Sequence, residues 1–316
     1  MPPSSEVLDT LITIKDFIRW GASQFAKAGL FFGHGTATAI DDAAAIVLHT
    51  LDLPYHLSDS YFDARLTRQE KEKIMALFSR RINEKIPSAY LTHEAIFADL
   101  NFYIDQRVLV PRSPIAELIK DQFSPWVDAE NVHSVLDLCT GSACIAIACA
   151  YAFSEAKIDA VDYSKDALDV ASINVNKHHL NDQVFLLHSD LFTYLSKKQY
   201  ELIVCNPPYV SLEEWQALPA EFHAEPAIGF KGGESGLDLV IRILAEAEQF
   251  LSKQGILVVE VGSSAETLQN QFPEVPFYWL DFDCGGDGVF LLTADQVSEH
   301  RNLFNRALNG LCQEIP

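Results

Sequence analysis

Basic residues are scarce in this chain. Lys and Arg together number 23 against 44 Asp and Glu, leaving 316 residues with a formal charge of −21 at pH 7. Neutralising phosphates takes a dense Lys/Arg surface, so nucleic acid is set aside as a direct substrate, and small molecules or a cationic protein are favoured as partners. Long apolar runs are missing too. The run through Cys144 to Phe153 covers only about half of the roughly 20 residues of a membrane helix. The first residues lack the basic-then-apolar order of a secretory signal, and the expectation is a cytoplasmic protein without a membrane span. Cysteine is sparse, 6 in all with no CxxC pair, which argues against a disulfide framework or a zinc site. Cys139, Cys144 and Cys149 recur at every fifth position and read as small packing residues. No internal repeat or low-complexity tract is present.

What remains is a globular composition, 48% hydrophobic and 11% aromatic, long enough for one large domain or two unequal ones. Leu8, Leu11, Ile14, Ile18 and Phe25 recur at helical spacing. Asp41 and Asp42 stand before the apolar stretch Ala43 to Leu51, as an N-cap and first-turn acid would. Thr67-Arg68-Gln69-Glu70 fits a capping box ahead of Ile74, Leu77, Phe78 and Ile82. A helical domain is therefore expected over residues 1–88. Short β-like runs at Ala95 to Phe97, Phe102 to Ile104 and Val108 to Val110, closed by Pro111, predict a β-hairpin linker over residues 89–111.

From about Ser134 strand-like and helix-like runs alternate. The strand-like runs are Val135 to Leu138, Ile158 to Asp162, Val184 to Leu187, Leu202 to Cys205 and Ile256 to Val261. Helices are expected over Ala143 to Phe153, Ser164 to Val175 and Leu237 to Leu251. Such alternation means an α/β domain, here residues 112–316, with a mostly parallel, Rossmann-like sheet that binds ligands at the carboxyl ends of its strands. The closing runs, Phe277 to Phe282 and Gly288 to Leu292, lie close enough for a C-terminal antiparallel hairpin through Asp283-Cys284-Gly285-Gly286-Asp287.

Asp137-Leu138-Cys139-Thr140-Gly141-Ser142-Ala143 is a strand end, a turn of small residues and a helix start, which lets backbone approach a ligand and aims helix N–H groups at it. Asp162 follows Gly141 by about 20 residues, where an acid accepts ribose hydroxyl hydrogens. A nicotinamide enzyme, or a turn without a ligand, would share this pattern. Asp190 and Leu191, after the third strand, could accept adenine amino hydrogens and cover the ring, or Asp190 could cap a helix. Asn206-Pro207-Pro208-Tyr209 follows the fourth strand directly. The prolines fix the backbone so that the Asn206 side chain and the Pro207 carbonyl converge as acceptors for a planar NH2 group, with Tyr209 over its face. Accepting both hydrogens releases the nitrogen lone pair for attack on an electrophilic carbon, so position matters more than base strength.

Taken together, these residues resemble the class I S-adenosylmethionine-dependent methyltransferases, and within them the glutamine N5-methyltransferases of the HemK type. The layout of helical domain, hairpin linker, Val108-Leu109-Val110-Pro111-Arg112 and catalytic sheet extends the resemblance over most of the chain. It implies S-adenosylmethionine as cofactor, held by Asp137, Cys139, Thr140, Gly141, Ser142, Ala143, Asp162, Asp190, Leu191 and Asn206. It also implies a glutamine side chain gripped by Asn206, Pro207, Pro208 and Tyr209, with Asn206, Pro207 and Tyr209 catalytic, no metal, and a helical domain that recognises the protein substrate. One branch acts on peptide-chain release factors and the other on ribosomal protein uL3. Pro111-Arg112-Ser113-Pro114-Ile115-Ala116-Glu117 in the linker, Phe32-Gly33-His34-Gly35-Thr36 and Gly285-Gly286-Asp287-Gly288-Val289-Phe290 resemble the ribosomal-protein branch, which implies uL3 as partner.

Cys139 and Ala143 stand where that family often has glycine; both are small, and the turn is expected to survive. His34 is expected to contact substrate or to order its loop, and His223, in His223-Ala224-Glu225-Pro226, to be either structural or catalytic. DNA adenine N6-methyltransferases share the Asn-Pro-Pro-Tyr element but must flip a base and hold phosphates, which the charge of −21 disfavours. A nicotinamide oxidoreductase leaves that element without a purpose, and complete motifs argue against a non-catalytic assembly factor.

Overall fold

The computed structural model describes residues 5–283 and 285–311; Cys284, in the expected closing hairpin, lies outside the described residues. The chain begins with helices α1 (Ser5–Thr10), α2 (Ile14–Lys27), α3 (Ala39–Thr50), α4 (Arg68–Glu84) and the short α5 (Ser88–Thr92). The apolar spacing from Leu8 to Phe25, which reads as continuous, is cut at Thr13. Its hydroxyl accepts the Asp16 N–H while the Asp16 carboxylate accepts the Thr13 N–H, a capping box that starts α2. A second box displaces the expected cap of α3. Thr38 is the cap and Asp41 its third-position partner, whereas Asp42 turns inward and is buried. The Thr67 and Glu70 box caps α4 as its spacing predicts. Phe17, Phe25, Ile46, Ile74 and Phe78 fill the core of this helical layer.

Strands β1 (Glu94–Phe97) and β2 (Leu100–Tyr103) pair antiparallel as a hairpin. The run Val108 to Val110 forms no strand. Its backbone is satisfied by side chains instead, the Val108 carbonyl accepting the Tyr90 hydroxyl at 2.5 Å and the Val110 N–H donating to Glu225 at 2.9 Å.

After α6 (Ile115–Lys120) come β3 (Ser134–Leu138), α7 (Cys144–Ala152), β4 (Lys157–Asp162), α8 (Lys165–Lys177), β5 (Val184–His188), β6 (Tyr200–Cys205) and α9 (Leu212–Ala217). The chain continues through α10 (Asp238–Glu246), β7 (Leu251–Glu260), α11 (Ala265–Gln271), β8 (Tyr278–Leu280), β9 (Val289–Thr293) and α12 (Ala294–Leu311). The helix expected to reach Leu251 stops at Glu246, a 3-10 turn over Ala247–Gln249 leading straight into β7.

The seven strands form one sheet in the order β5-β4-β3-β6-β7-β9-β8. It is parallel from β5 to β7, while β9 runs antiparallel to both β7 and β8. Both faces are covered, which is why the strands are apolar without alternation. Val135, Ile158, Leu202, Val204 and Val258 face the layer of α6, α7 and α8, and the intervening Leu136, Val161, Ile203, Cys205 and Val259 face α10 and α12. Period-two geometry thus divides continuous apolar runs between two cores.

Candidate functional site

The chain reverses its direction of winding between β3 and β6: β4 and β5 lie on one side, β7 on the other. At such a switch point the loops after neighbouring strands diverge and leave a crevice. A cavity of ≈ 520 Å³ opens there, large enough for a cofactor-sized ligand.

The floor is the turn after β3. Cys139, Gly141 and Ala143 all have positive φ, 58°, 55° and 63°. The alternating left-handed turn therefore survives the loss of two glycines, at a cost of about 1–2 kcal/mol for each side chain held there. Cys139, Thr140, Gly141 and Ser142 line the cavity. Asp137 and Ala143 are not on its wall; they support the turn from behind. Asp137 is fully buried, its Oδ2 accepting the Thr140 hydroxyl at 2.5 Å and the Ala146 N–H at 3.1 Å. Its Oδ1 has no partner among the described residues, and burial pushes the carboxyl up to about 7.

Asp162 ends β4 on the cavity wall, with Oδ2 accepting the Gly141 N–H and Oδ1 the Ser164 N–H, both at 2.8 Å. This aims the carboxylate at the turn and leaves lone pairs for a diol. Burial raises its affinity for a proton while the backbone N–H groups lower it. Asp190 and Leu191 also line the cavity, but no helix follows them, and one Asp190 oxygen is taken by Arg242 at 3.0 Å. A cradle of this size, holding a left-handed small-residue turn and an acid bonded to that turn, fits an adenosyl ligand.

Asn206, Pro207, Pro208 and Tyr209 form the next stretch of wall. The Tyr209 hydroxyl donates to Glu260 Oε1 at 3.0 Å, and its backbone carbonyl accepts the Ser264 hydroxyl at 2.9 Å. A Cβ on Gly262 would come within 2.5 Å of the Tyr209 ring, so only glycine leaves that ring its place. Burial and Glu260 hold the phenol protonated.

The opposite wall comes from the segment between α9 and α10, with Phe222, Ile228 and Phe230 on the cavity. The Arg112 guanidinium lies 5.6 Å and 5.5 Å from the Phe222 and Phe230 ring centres and meets the Glu225 oxygens at 3.0 and 3.1 Å. His34 packs on Phe222 at 4.3 Å between ring centres. The Glu221 carboxylate accepts the Phe31 N–H at 3.0 Å. His34 therefore orders this junction rather than reaching the cavity. Its Nε2 is 3.3 Å from Glu225 Oε1, an oxygen already shared with Arg112; burial and the Arg112 and Arg81 charges push its pKa down to about 3, so the ring is neutral. His223 is exposed and edge-on to Trp215 at 4.8 Å, away from the wall, which leaves its structural reading. Glu117 accepts the Asp283 N–H at 3.1 Å, also off the wall.

Sequence reasoning missed Glu260, Ser113, Phe222 and the pairing of Arg112 with Glu225, because each acts through partners more than a hundred positions away or sits in a strand resembling its neighbours. Of the cysteines, Cys139 and Cys144 reach the cavity, whereas Cys149 is buried packing. Among the described residues no group of three His, Cys, Asp or Glu side chains could hold a metal ion, and no helix is long and apolar enough to cross a membrane.

The family described as methyltransferase small domain matches residues 123–223. A protein of Xanthomonas campestris pv. campestris named ribosomal protein uL3 glutamine methyltransferase is 50% identical over 292 residues, 92% of this chain and 94% of that protein. Proteins of the same name from Neisseria meningitidis serogroup B and Neisseria gonorrhoeae are each 48% identical over 295 residues, covering 93% of this chain and 97% and 98% of theirs.

Proposed function

The chain belongs to the ribosomal protein uL3 glutamine methyltransferases, and from that premise we propose that it transfers a methyl group from S-adenosylmethionine to the side-chain amide nitrogen of a glutamine in uL3. The observation that supports this chemistry best is the convergence of the Gly141 turn, Asp162 and Asn206 to Tyr209 on one cavity. Cys139, Thr140, Gly141 and Ser142 would hold the cofactor's methionine portion, Asp162 its ribose, and Asp190 with Leu191 its adenine. Asp137 and Ala143 shape the turn beneath it. Bound there, S-adenosylmethionine supplies an electrophilic sulfonium methyl.

The Asn206 carbonyl oxygen and the Pro207 carbonyl each accept one hydrogen of the glutamine NH2. Tyr209 and Pro208 close over one face of the amide and fix its orientation. With both hydrogens engaged, the nitrogen can pyramidalise and present its lone pair, and preorganised acceptors of this kind cost no rearrangement as the reaction proceeds. Once methylated, the amide nitrogen gives its surplus proton to water. The aromatic wall of Phe222 and Phe230 shields one side of the amide, and the open mouth of the cavity leaves water to take the proton.

We assign residues 1–88 the recognition of the protein substrate and place the reaction in the cytoplasm, on uL3 not yet assembled with RNA. The excess of acids suits a cationic ribosomal protein. Purified uL3 and, separately, a release factor incubated with methyl-labelled cofactor test the reading. Label is expected in uL3; label in the release factor alone would overturn the choice of substrate while sparing the reaction type.

A further inference from the structure

Glu260 ends β7, and no motif marks it. Val259 lies opposite Cys205 in the β6–β7 register, which brings Glu260 beside Asn206. The carboxylate is buried, 6% exposed, and lies on the cavity wall. Two hydroxyls donate to it, Tyr209 at 3.0 Å and Ser113 at 2.5 Å, and the Asn206 side chain lies beside it and favours its ionised form. An ionised carboxylate can only accept hydrogen bonds, whereas an Asn side chain carries a donor end and an acceptor end of the same shape.

We infer that Glu260 is a positioning residue: by taking the Asn206 NH2 it turns the Asn206 carbonyl oxygen toward the target amide, and by taking the Tyr209 hydroxyl it sets the covering ring. The inference rests on the assignment of Asn206 as an acceptor for the glutamine NH2. Without the carboxylate, Asn206 has no reason to prefer that orientation, and the reversed one would point its NH2 at the substrate's NH2, donor against donor. Ser113 ties the same carboxylate to the linker, so the clamp is anchored on three separate chain segments.

Protonation of Glu260 would have the same effect as its loss, since a carboxylic acid donates one hydrogen and can no longer accept from all three neighbours. The charged and titratable groups around it are Arg112, which favours the ionised form, the neutral Tyr209 phenol, and Asp287, which acts on Tyr209. Burial outweighs Arg112 and raises the carboxyl above its ordinary 4.5. Turnover should therefore fall on acidification in a one-proton step above that value.

The test compares wild type with Glu260→Gln in methyl transfer to uL3 between pH 5 and 9, with S-adenosylmethionine affinity measured by calorimetry. The expected result is a kcat lower by about 10- to 100-fold, cofactor affinity changed by less than about threefold, and an acid limb in the variant that takes one proton fewer than that of wild type. Wild-type kcat in the variant, or a reduced kcat that keeps the wild-type acid step, overturns the inference. A second readout needs neither substrate nor a Glu260 variant. In the nitrogen-15-labelled wild-type enzyme, the Asn206 side-chain amide, assigned from its loss in Asn206→Ala, should shift on acidification in one step above 4.5. An amide that stays fixed overturns the inference. If wild type instead leaves uL3 unmethylated while this amide titrates, the proposed substrate fails and the role of Glu260 stands.

Discussion

Individual residues carry both the chemistry and its cost. Ala143 is fully buried with φ of 63° in the turn beneath the cavity, a conformation that disfavours any side chain. Ala143→Gly should raise the unfolding free energy of the cofactor-free enzyme by about 0.5–1 kcal/mol, the strain relieved less the extra freedom of the unfolded chain. Chemical denaturation measures this, and a destabilised variant would mean that the alanine methyl matters more as packing than as strain. The Asn206 to Tyr209 element and Asp162 were legible in the sequence because each belongs to a short contiguous pattern at a strand end. Glu260 was not, since an acid after Ile256-Leu257-Val258-Val259 looks like any strand terminus until β6 is laid beside it.

At the scale of elements, the decisive feature is the junction between the connection joining α2 to α3 and the segment joining α9 to α10. Thr36 donates to Asp42 at 2.9 Å, Arg81 pairs with Asp42 at 2.7 Å, and His34 packs at a tilt on Phe222 beside Glu225 and Arg112. Buried ion pairs do not by themselves stabilise, but here they fix one wall of the cavity to the helical layer. Because the folded protein holds His34 neutral down to about pH 3, against an ordinary value of 6.5, the unfolded chain takes up a proton there first as pH falls. Stability from this group is intact above pH 6.5 and is lost as pH drops toward 3. His34→Phe, which fills the same aromatic site and leaves no hydrogen bond unmade, should flatten the loss between pH 7 and 5 by up to about 1.4 kcal/mol per pH unit. Equal slopes for variant and wild type would refute it.

Element types were readable from apolar spacing, and the Thr67 box was found outright. Apolar spacing alone does not show the break that the Thr13 and Asp16 box makes before α2, and at α3 Asp41 looks like the cap although it is the third-position partner of Thr38. The Val108 to Val110 run was misread as a strand because its partners are the Tyr90 and Glu225 side chains, which no local pattern reveals. The Phe32 to Thr36 stretch was visible as a motif, but its role became clear only when Glu225 and Phe222 were brought against it.

For the whole molecule the charge of −21 matters most. It says nothing of the fold, yet it would favour encounter with the cationic protein substrate proposed above, and screening weakens attraction between exposed charges. Raising ionic strength from about 50 to about 300 mM should increase the KM for uL3 several-fold and change kcat little. A KM indifferent to salt would place recognition in apolar contacts instead. The most direct measurement is mass mapping of unassembled uL3 after incubation with methyl-labelled cofactor and either wild type or Asn206→Ala. Wild type should place one methyl on a glutamine side chain, and the variant should bind cofactor yet label that glutamine about a hundredfold more slowly. Label on a residue other than glutamine, or equal labelling by the variant, would contradict a clamp in which Asn206 accepts the hydrogens of the amide to be methylated.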